Sequence, residues 1–158
     1  MGLAGEAAGV GLGIALACDV RIAATDTRLR WPELGLGALP GGGTLIRLAR
    51  LAGRRVLEPL LATDGVGAEE ALHLGLVTEV VPREALRSRT FEVAEELASK
   101  GPQALRAIKE AFRRGRDLPF THGTGVEVDL SLILQTTRDR MEGVRSFLER
   151  RPPQYLGL

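Results

Sequence analysis

The order of apolar and polar residues predicts short, varied elements in the first third of the chain. A run of small apolar residues at positions 9–18 predicts a helix that ends at Asp19, with no strand recognisable before it. Residues 20–24 are partly β-branched and predict a strand. Residues 27–31 predict a second strand, which ends at Pro32 because proline cannot donate to a strand ladder.

The middle of the chain alternates turns with short helices. Glycine and proline at positions 35–43 predict a long turn into an amphipathic helix at residues 44–51, with leucines at helical spacing. Further short helices are predicted at residues 54–62 and 68–74. Residues 76–81 predict the clearest strand of the chain, which ends at Pro82.

The remainder of the chain has the spacing of apolar residues that is typical of helices. Breaks are expected at Gly101-Pro102, across residues 115–123 and at Thr136-Thr137. The predicted helices cover residues 83–99, 102–114, roughly 124–136, and 138–150. No repeat or long linker interrupts the sequence, which therefore predicts one domain over residues 1–158.

Composition narrows the class of protein. The 158 residues are 44% hydrophobic and 26% charged with a net charge of +1, which is typical of a globular protein and does not favour nucleic acid or an anionic membrane as a partner. A single cysteine, Cys18, excludes an internal disulfide and predicts a buried, inert thiol and a cytoplasmic location. His73 and His122 have no neighbouring ligands at metal-binding spacing, so no metal site is expected.

The glycines at positions 9, 11 and 13 suggest a place where backbone approaches a ligand. A helix that begins there directs unpaired N–H groups and a partial positive charge outward, which suits a developing oxyanion. Glu33 is the carboxylate expected to supply acid–base chemistry beside it. A dinucleotide-binding loop is disfavoured, because Ile14 and Leu16 occupy the positions where a third glycine is needed.

Several sequence blocks resemble the enoyl-CoA hydratase/isomerase (crotonase) superfamily, in the same order along the chain. The first is Ala8-Gly9-Val10-Gly11-Leu12 with Leu16-Ala17-Cys18-Asp19, and the second is Pro32-Glu33-Leu34-Gly35. The others are Leu39-Pro40-Gly41-Gly42-Gly43-Thr44, Ala68-Glu69-Glu70-Ala71 with Gly75-Leu76-Val77, Val80-Val81-Pro82, Lys109, and the block from Thr137 to Pro152. Together and in order, these blocks are far more specific than any one of them.

The resemblance implies an α/β fold, a truncated crotonase-like ββα spiral (about residues 1–82) followed by a helical C-terminal trimerisation region (about residues 83–158). It implies an acyl-CoA thioester substrate, an oxyanion hole of two backbone N–H groups, and a homotrimer or hexamer. No separate cofactor is implied, since coenzyme A is part of the substrate. Glu33 matches an acid–base glutamate, and Val10, between Gly9 and Gly11, matches the second oxyanion N–H. Arg150 lies where the family often has a lysine near coenzyme A, although a solvated terminal charge is the alternative.

The chain also departs from the family pattern. Gly13 stands where two-carboxylate hydratases carry their other glutamate, so a proton shuttle between C2 and C4 is the easier chemistry for Glu33 alone. Gly41 replaces an aspartate that some isomerases carry. The segment that precedes these blocks in the family, with the first oxyanion N–H, is missing, so we expect the carboxy-terminal part of a longer enzyme. The alternative is a non-catalytic scaffold or subunit partner.

Overall fold

The computed structural model describes residues 1–62 and 65–158, which form two compact units, Met1–Glu92 and Val93–Leu158. The strands are β1 (Gly2–Leu3), β2 (Glu6–Ala8), β3 (Ile22–Ala24), β4 (Arg28–Arg30), β5 (Gly65–Gly67) and β6 (Glu79–Val81). The α-helices are α1 (Gly9–Ala17), α2 (Thr44–Ala52), α3 (Leu57–Ala62), α4 (Ala68–His73), α5 (Leu86–Ala98), α6 (Pro102–Gly115), α7 (Phe120–Gln135) and α8 (Arg138–Glu149). Short 3-10 helices cover Pro32–Leu36, Gly53–Val56 and Arg83–Ala85.

Two small sheets organise the first unit. The order of one is β1-β3-β6, with parallel pairing throughout. The order of the other is β2-β4-β5, with β2 parallel and β5 antiparallel to β4. The central strand β3 is buried along its whole length, as expected for a strand paired on both sides.

The core of the first unit is built from aliphatic side chains around one tryptophan. Trp31, Leu12, Leu29, Leu48 and Leu76 are almost fully buried and belong to the same cluster. Of the leucine stripe predicted for α2, Leu48 lies in this core, whereas Leu51 is partly exposed. The helix therefore packs through a narrower face than its sequence predicts.

A buried arginine ties the elements of this unit together. The Nε of Arg21 donates to the carbonyl oxygen of Leu76 at 2.5 Å, and its Nη1 donates to the carbonyl oxygen of Cys18. Burial lowers the pKa of the Arg21 guanidinium from its ordinary value. The side chain thereby links the end of α1 to the turn before β6.

The structure corrects several predicted boundaries. A strand, β2, does precede α1. The sequence did not predict it because its three residues form a strand only through their pairing with β4. The predicted strand at residues 76–81 is limited to β6, and residues 76–78 form a bend. The helix expected at residues 124–136 begins earlier, at Phe120, because Pro119 can precede a first helical turn. The predicted helix at residues 54–62 is a 3-10 turn followed by α3.

The structure also corrects the prediction for Cys18 and adds one strand. Cys18 is only half-buried, so the expectation of a buried thiol is wrong; its sulfur lies 3.5 Å from the Met1 sulfur. Strand β5 was not predicted, because its three residues, Gly65-Val66-Gly67, lack the length and alternation of a recognisable strand.

The second unit contains the end of α5 followed by α6, α7 and α8, of which α6 and α7 pack as a pair. Gly115 and Gly123 lie at their junction, where a Cβ on Gly123 would be 3.1 Å from the carbonyl oxygen of Gly115. The tail after α8 folds back within this unit. Both Leu156 and Gly157 donate backbone N–H groups to the buried carboxylate of Asp139.

Candidate active site

Parallel pairing of two strands brings Glu33 to the start of α1. Ala8 at the end of β2 is paired with Arg30 at the end of β4. Because parallel strands end at the same edge, the residues that follow them, Gly9 and then Pro32-Glu33, emerge side by side. A Cβ built on Gly9 would lie 3.6 Å from the Oε1 of Glu33. The carboxylate therefore lies against the first residue of α1.

The N-terminal end of α1 has the features of an anion site. Its capping residue is Ala8, so no side chain accepts from the free N–H groups, and the first turn carries no acidic residue. Val10, the second residue of this turn, is 79% exposed. Gly9 has φ of 51°, a left-handed conformation that a residue with a Cβ adopts only at a cost. This end of the helix can stabilise negative charge on a bound oxygen.

Glu33 is held by a tight local turn. Pro32 is the first residue of the 3-10 helix, where its missing N–H costs nothing. The Glu33 carbonyl oxygen accepts from the Ala38 N–H at 2.8 Å, and Gly37, in the left-handed conformation, closes the turn. The side-chain Oε2 of Glu33 is buried and has no hydrogen-bond partner among residues 1–62 and 65–158. This carboxylate is thus positioned by its backbone and available to a ligand.

Thr44 is a residue of this region that sequence reasoning did not single out. It is 1% exposed, and its Oγ1 also lacks a hydrogen-bond partner in the part of the chain that the structure describes. A Cβ built on the buried Gly13 would lie 2.8 Å from that Oγ1. The sequence does show a glycine turn before α2. It does not show that Thr44, the first residue of α2, contacts α1.

The glycine turn before α2 is fixed by two contacts. The Thr44 N–H donates to the Gly41 carbonyl oxygen at 3.0 Å. The Nη1 of Arg47 donates to the Gly42 carbonyl oxygen at 2.9 Å. These bonds hold the position of the Thr44 side chain.

The structure brings Glu33, Gly9, Val10, Gly11 and Gly13 together around α1, whereas Arg150 belongs to the second unit. There Arg150 ends α8 in a left-handed conformation with φ of 53°, and its N–H donates to the Phe147 carbonyl oxygen at 3.3 Å. Its side chain is exposed. The observed role of Arg150 is helix termination.

The described residues contain neither a membrane-spanning helix nor a metal-binding cluster. No helix formed by residues 1–62 and 65–158 combines the length and apolar character needed to cross a membrane. Across the same residues, no group of three or more His, Cys, Asp or Glu side chains is arranged to hold a metal ion.

Comparison with known proteins identifies the family. The family model described as enoyl-CoA hydratase/isomerase matches residues 2–157. The chain is 40% identical over 154 residues to the (E)-benzylidenesuccinyl-CoA hydratase of Thauera aromatica, covering 97% of this chain and 60% of that protein. It is 34% identical over 154 residues to the 2,3-dehydroadipyl-CoA hydratase of Escherichia coli, again covering 97% and 60%. The chain thus spans about three-fifths of the length of these curated relatives.

Solved structures agree with this result. The crystal structure of an enoyl-CoA hydratase from Bacillus anthracis superimposes with a TM-score of 0.93 at 39% identity, covering 98% of this chain and 60% of that one. The α/β fold predicted from the sequence blocks is therefore confirmed, with small sheets in the first unit and helices in the second. From the family match over nearly its whole length and the fold that it shares with a hydratase, the chain belongs to the enoyl-CoA hydratase/isomerase family.

Proposed function

We propose that the protein acts on an enoyl-CoA thioester as a hydratase or isomerase, with Glu33 as the general acid/base. The observation that carries the proposal is the position of the Glu33 carboxylate beside the uncapped N-terminal end of α1. The names of the relatives, which are hydratases of CoA thioesters, support the substrate class. The chain spans about three-fifths of the length of these relatives, so the activity of a whole protein is part of this proposal.

The two groups have complementary tasks. When Glu33 removes a proton from C2 of a 3-enoyl thioester, the electron pair moves onto the thioester oxygen as an enolate. The Val10 N–H, at the positive end of α1, stabilises that negative charge more strongly than it stabilises the neutral carbonyl. The Glu33 carboxylic acid then returns the proton to C4, and the double bond shifts to C2–C3. Gly9 and Gly11 leave space for the thioester to approach the helix, whereas the buried Gly13 faces the Thr44 hydroxyl.

The test is a pair of glutamate variants assayed with crotonyl-CoA and a 3-enoyl-CoA. Glu33→Gln retains the shape but cannot exchange protons, so we expect turnover to fall by about 10²-fold or more while thioester binding persists. Glu69→Gln, which changes an exposed glutamate on α4, is the matched control and should retain wild-type turnover. Unchanged turnover in Glu33→Gln would refute the assignment.

Substrate binding is measured separately by melting the protein with and without crotonyl-CoA. A ligand that binds only the folded state at 100 times its Kd adds about 2.7 kcal/mol to the free energy of unfolding. An upward shift in both wild type and Glu33→Gln supports a thioester site. No shift and no turnover in the wild type would favour the non-catalytic scaffold.

Self-association into a homotrimer or hexamer is a further part of the proposal. The helices α7 and α8 carry apolar side chains that are each more than half exposed, and contiguous exposed apolar surface is typical of an interface. These side chains are Val128, Leu132, Ile133, Met141, Phe147 and Leu148. Phe147→Asp should lower the mass measured by sedimentation, whereas Arg106→Asp, on α6, should not.

A cytoplasmic location and the lack of a separate cofactor complete the proposal. A single cysteine is typical of proteins from a reducing compartment. Coenzyme A enters and leaves as part of the substrate, and the proposed proton transfers need only Glu33 and backbone N–H groups. Activity of protein purified without added metal or cofactor is the expected result.

A further inference from the structure

Two buried side-chain oxygens, Glu33 Oε2 and Thr44 Oγ1, make no hydrogen bond within the described part of the protein, and they are the only two such atoms there. Buried polar groups are nearly always paired, and the exceptions often mark a binding or catalytic site. Thr44 is 1% exposed, so bulk solvent does not satisfy its hydroxyl. These two oxygens therefore point to a small polar ligand.

Both oxygens lie against the same helix. The Glu33 carboxylate is next to Gly9 and the Thr44 hydroxyl is next to Gly13. Gly9 is the first residue of α1, in the left-handed conformation, and Gly13 lies four residues further along the same helix. A water molecule that forms a hydrogen bond of about 2.8 Å with each oxygen would satisfy both groups.

The donor and acceptor properties of the two groups also suit water. An ionised carboxylate only accepts hydrogen bonds, whereas a threonine hydroxyl can donate one. A water that donates to Glu33 and accepts from Thr44 satisfies both groups and retains a lone pair on its oxygen. We propose that Glu33 and Thr44 together hold the water that adds to the substrate, which gives hydration to a site with one carboxylate.

This inference rests on the proposed function, because Glu33 must act as the base. In the hydration step the water oxygen bonds to C3 of a 2-enoyl thioester, and the water O–H bond breaks with its proton passing to Glu33. The C2=C3 electron pair moves onto the thioester oxygen as an enolate. Glu33 then gives a proton to C2 as the enolate collapses, so one water is added and the carboxylate is restored. Thr44 has no proton to exchange in this pH range and serves to hold the water.

The discriminating variant is Thr44→Val, which has nearly the same shape without the hydroxyl. We expect hydration of crotonyl-CoA to fall at least about tenfold in kcat, the rate equivalent of one lost hydrogen bond, with little change in KM. Isomerisation of a 3-enoyl-CoA, which consumes no water, should be retained. Thr44→Ser keeps the hydroxyl and should restore most of the hydration.

Glu33→Gln separates the two proposals, since it should abolish both reactions. If Glu33→Gln abolishes both and Thr44→Val hydrates like the wild type, the role of Thr44 is refuted and that of Glu33 stands. Isomerisation without hydration in the wild type also refutes the role of Thr44.

A crystal structure of the protein decides the matter independently of activity and of whether Thr44→Val folds. An ordered water within hydrogen-bonding distance of both Glu33 and the Thr44 hydroxyl supports the proposal. A Thr44 hydroxyl that is bonded to protein instead overturns it.

Discussion

Gly13 of α1 faces the hydroxyl of Thr44 so closely that a Cβ on Gly13 would lie 2.8 Å from the Thr44 Oγ1. Thr44 is β-branched and fully surrounded, so its side chain has little freedom to turn away. The contact joins α1 to α2. The space that a side chain at position 13 would occupy is thus next to the Thr44 hydroxyl.

The first prediction concerns that contact. Alanine in a helix interior is about 1 kcal/mol more favourable than glycine. Gly13→Ala should nevertheless destabilise the wild type, because the new Cβ displaces the Thr44 hydroxyl. In a Thr44→Ala background the same change should be neutral or stabilising, with a coupling energy of about 1 kcal/mol. Urea unfolding of the four proteins measures it.

Gly11→Ala is the matched control, since a Cβ on Gly11 has no atom within 4 Å. Its effect should add to that of Thr44→Ala without coupling. Additivity for Gly13→Ala as well would contradict the contact.

A second prediction concerns the packing of β5 on β4, the strand that leads to Glu33. A Cβ on Gly65 would lie 2.3 Å from the backbone carbonyl oxygen of Leu29, and backbone cannot yield as a flexible side chain does. We expect Gly65→Ala to destabilise the protein by about 1–3 kcal/mol. Gly67→Ala, in the same strand but with open space, should change stability by less than about 0.5 kcal/mol. Equal effects in thermal melts would argue against this register.

The third prediction concerns acid stability of the second unit. Arg151 donates Nη1 and Nη2 to the two Glu142 carboxylate oxygens at 2.6 and 2.9 Å, and the Gln154 N–H donates at 2.9 Å. Chiefly the Arg151 hydrogen bonds, and then that N–H, lower the pKa of Glu142 from 4.5 to about 2. A carboxyl with a depressed folded pKa stabilises the protein above the unfolded pKa and stops doing so as pH falls through the folded value.

Stability should therefore fall between about pH 4.5 and 2 more steeply in the wild type than in Glu142→Gln. Melting temperatures taken in steps across that window, at constant ionic strength, provide the measurement. Glu127→Gln, which removes an exposed carboxylate from α7, is the control. Parallel pH curves for wild type and Glu142→Gln would show that Glu142 does not hold the tail.

The fourth prediction concerns Arg150, the one non-glycine residue with positive φ among those described. Glycine adopts this conformation without a Cβ penalty, so Arg150→Gly should stabilise the protein by roughly 0.5–1 kcal/mol in chemical unfolding. Arg150→Lys should leave stability nearly unchanged, since it retains the same strain. If Arg150 also contacts coenzyme A, KM for crotonyl-CoA should rise in Arg150→Gly and remain low in Arg150→Lys.

Local information was enough to predict much of the fold. The glycine helix, the long turn into α2 and the successive helices of the second half depend on glycine, proline and apolar spacing, which act over a few residues. The position of Glu33 directly after Pro32 likewise marked it as a candidate. By contrast, β2 and β5 have three residues each and become strands only by pairing with β4, which no local pattern shows.

The sequence by itself determined which residues bring chemistry: a carboxylate at Glu33, small residues before α1, and no carboxylate at Gly13. Only the tertiary structure decided that the hydroxyl of Thr44, which is distant in sequence, lies against Gly13. It also decided that this hydroxyl has no hydrogen-bond partner among the described residues. It also showed that Arg150 ends α8 in the left-handed conformation. The physical reason is that residue type follows from the chain alone, whereas distance, burial and a missing hydrogen-bond partner arise only when separate segments pack together.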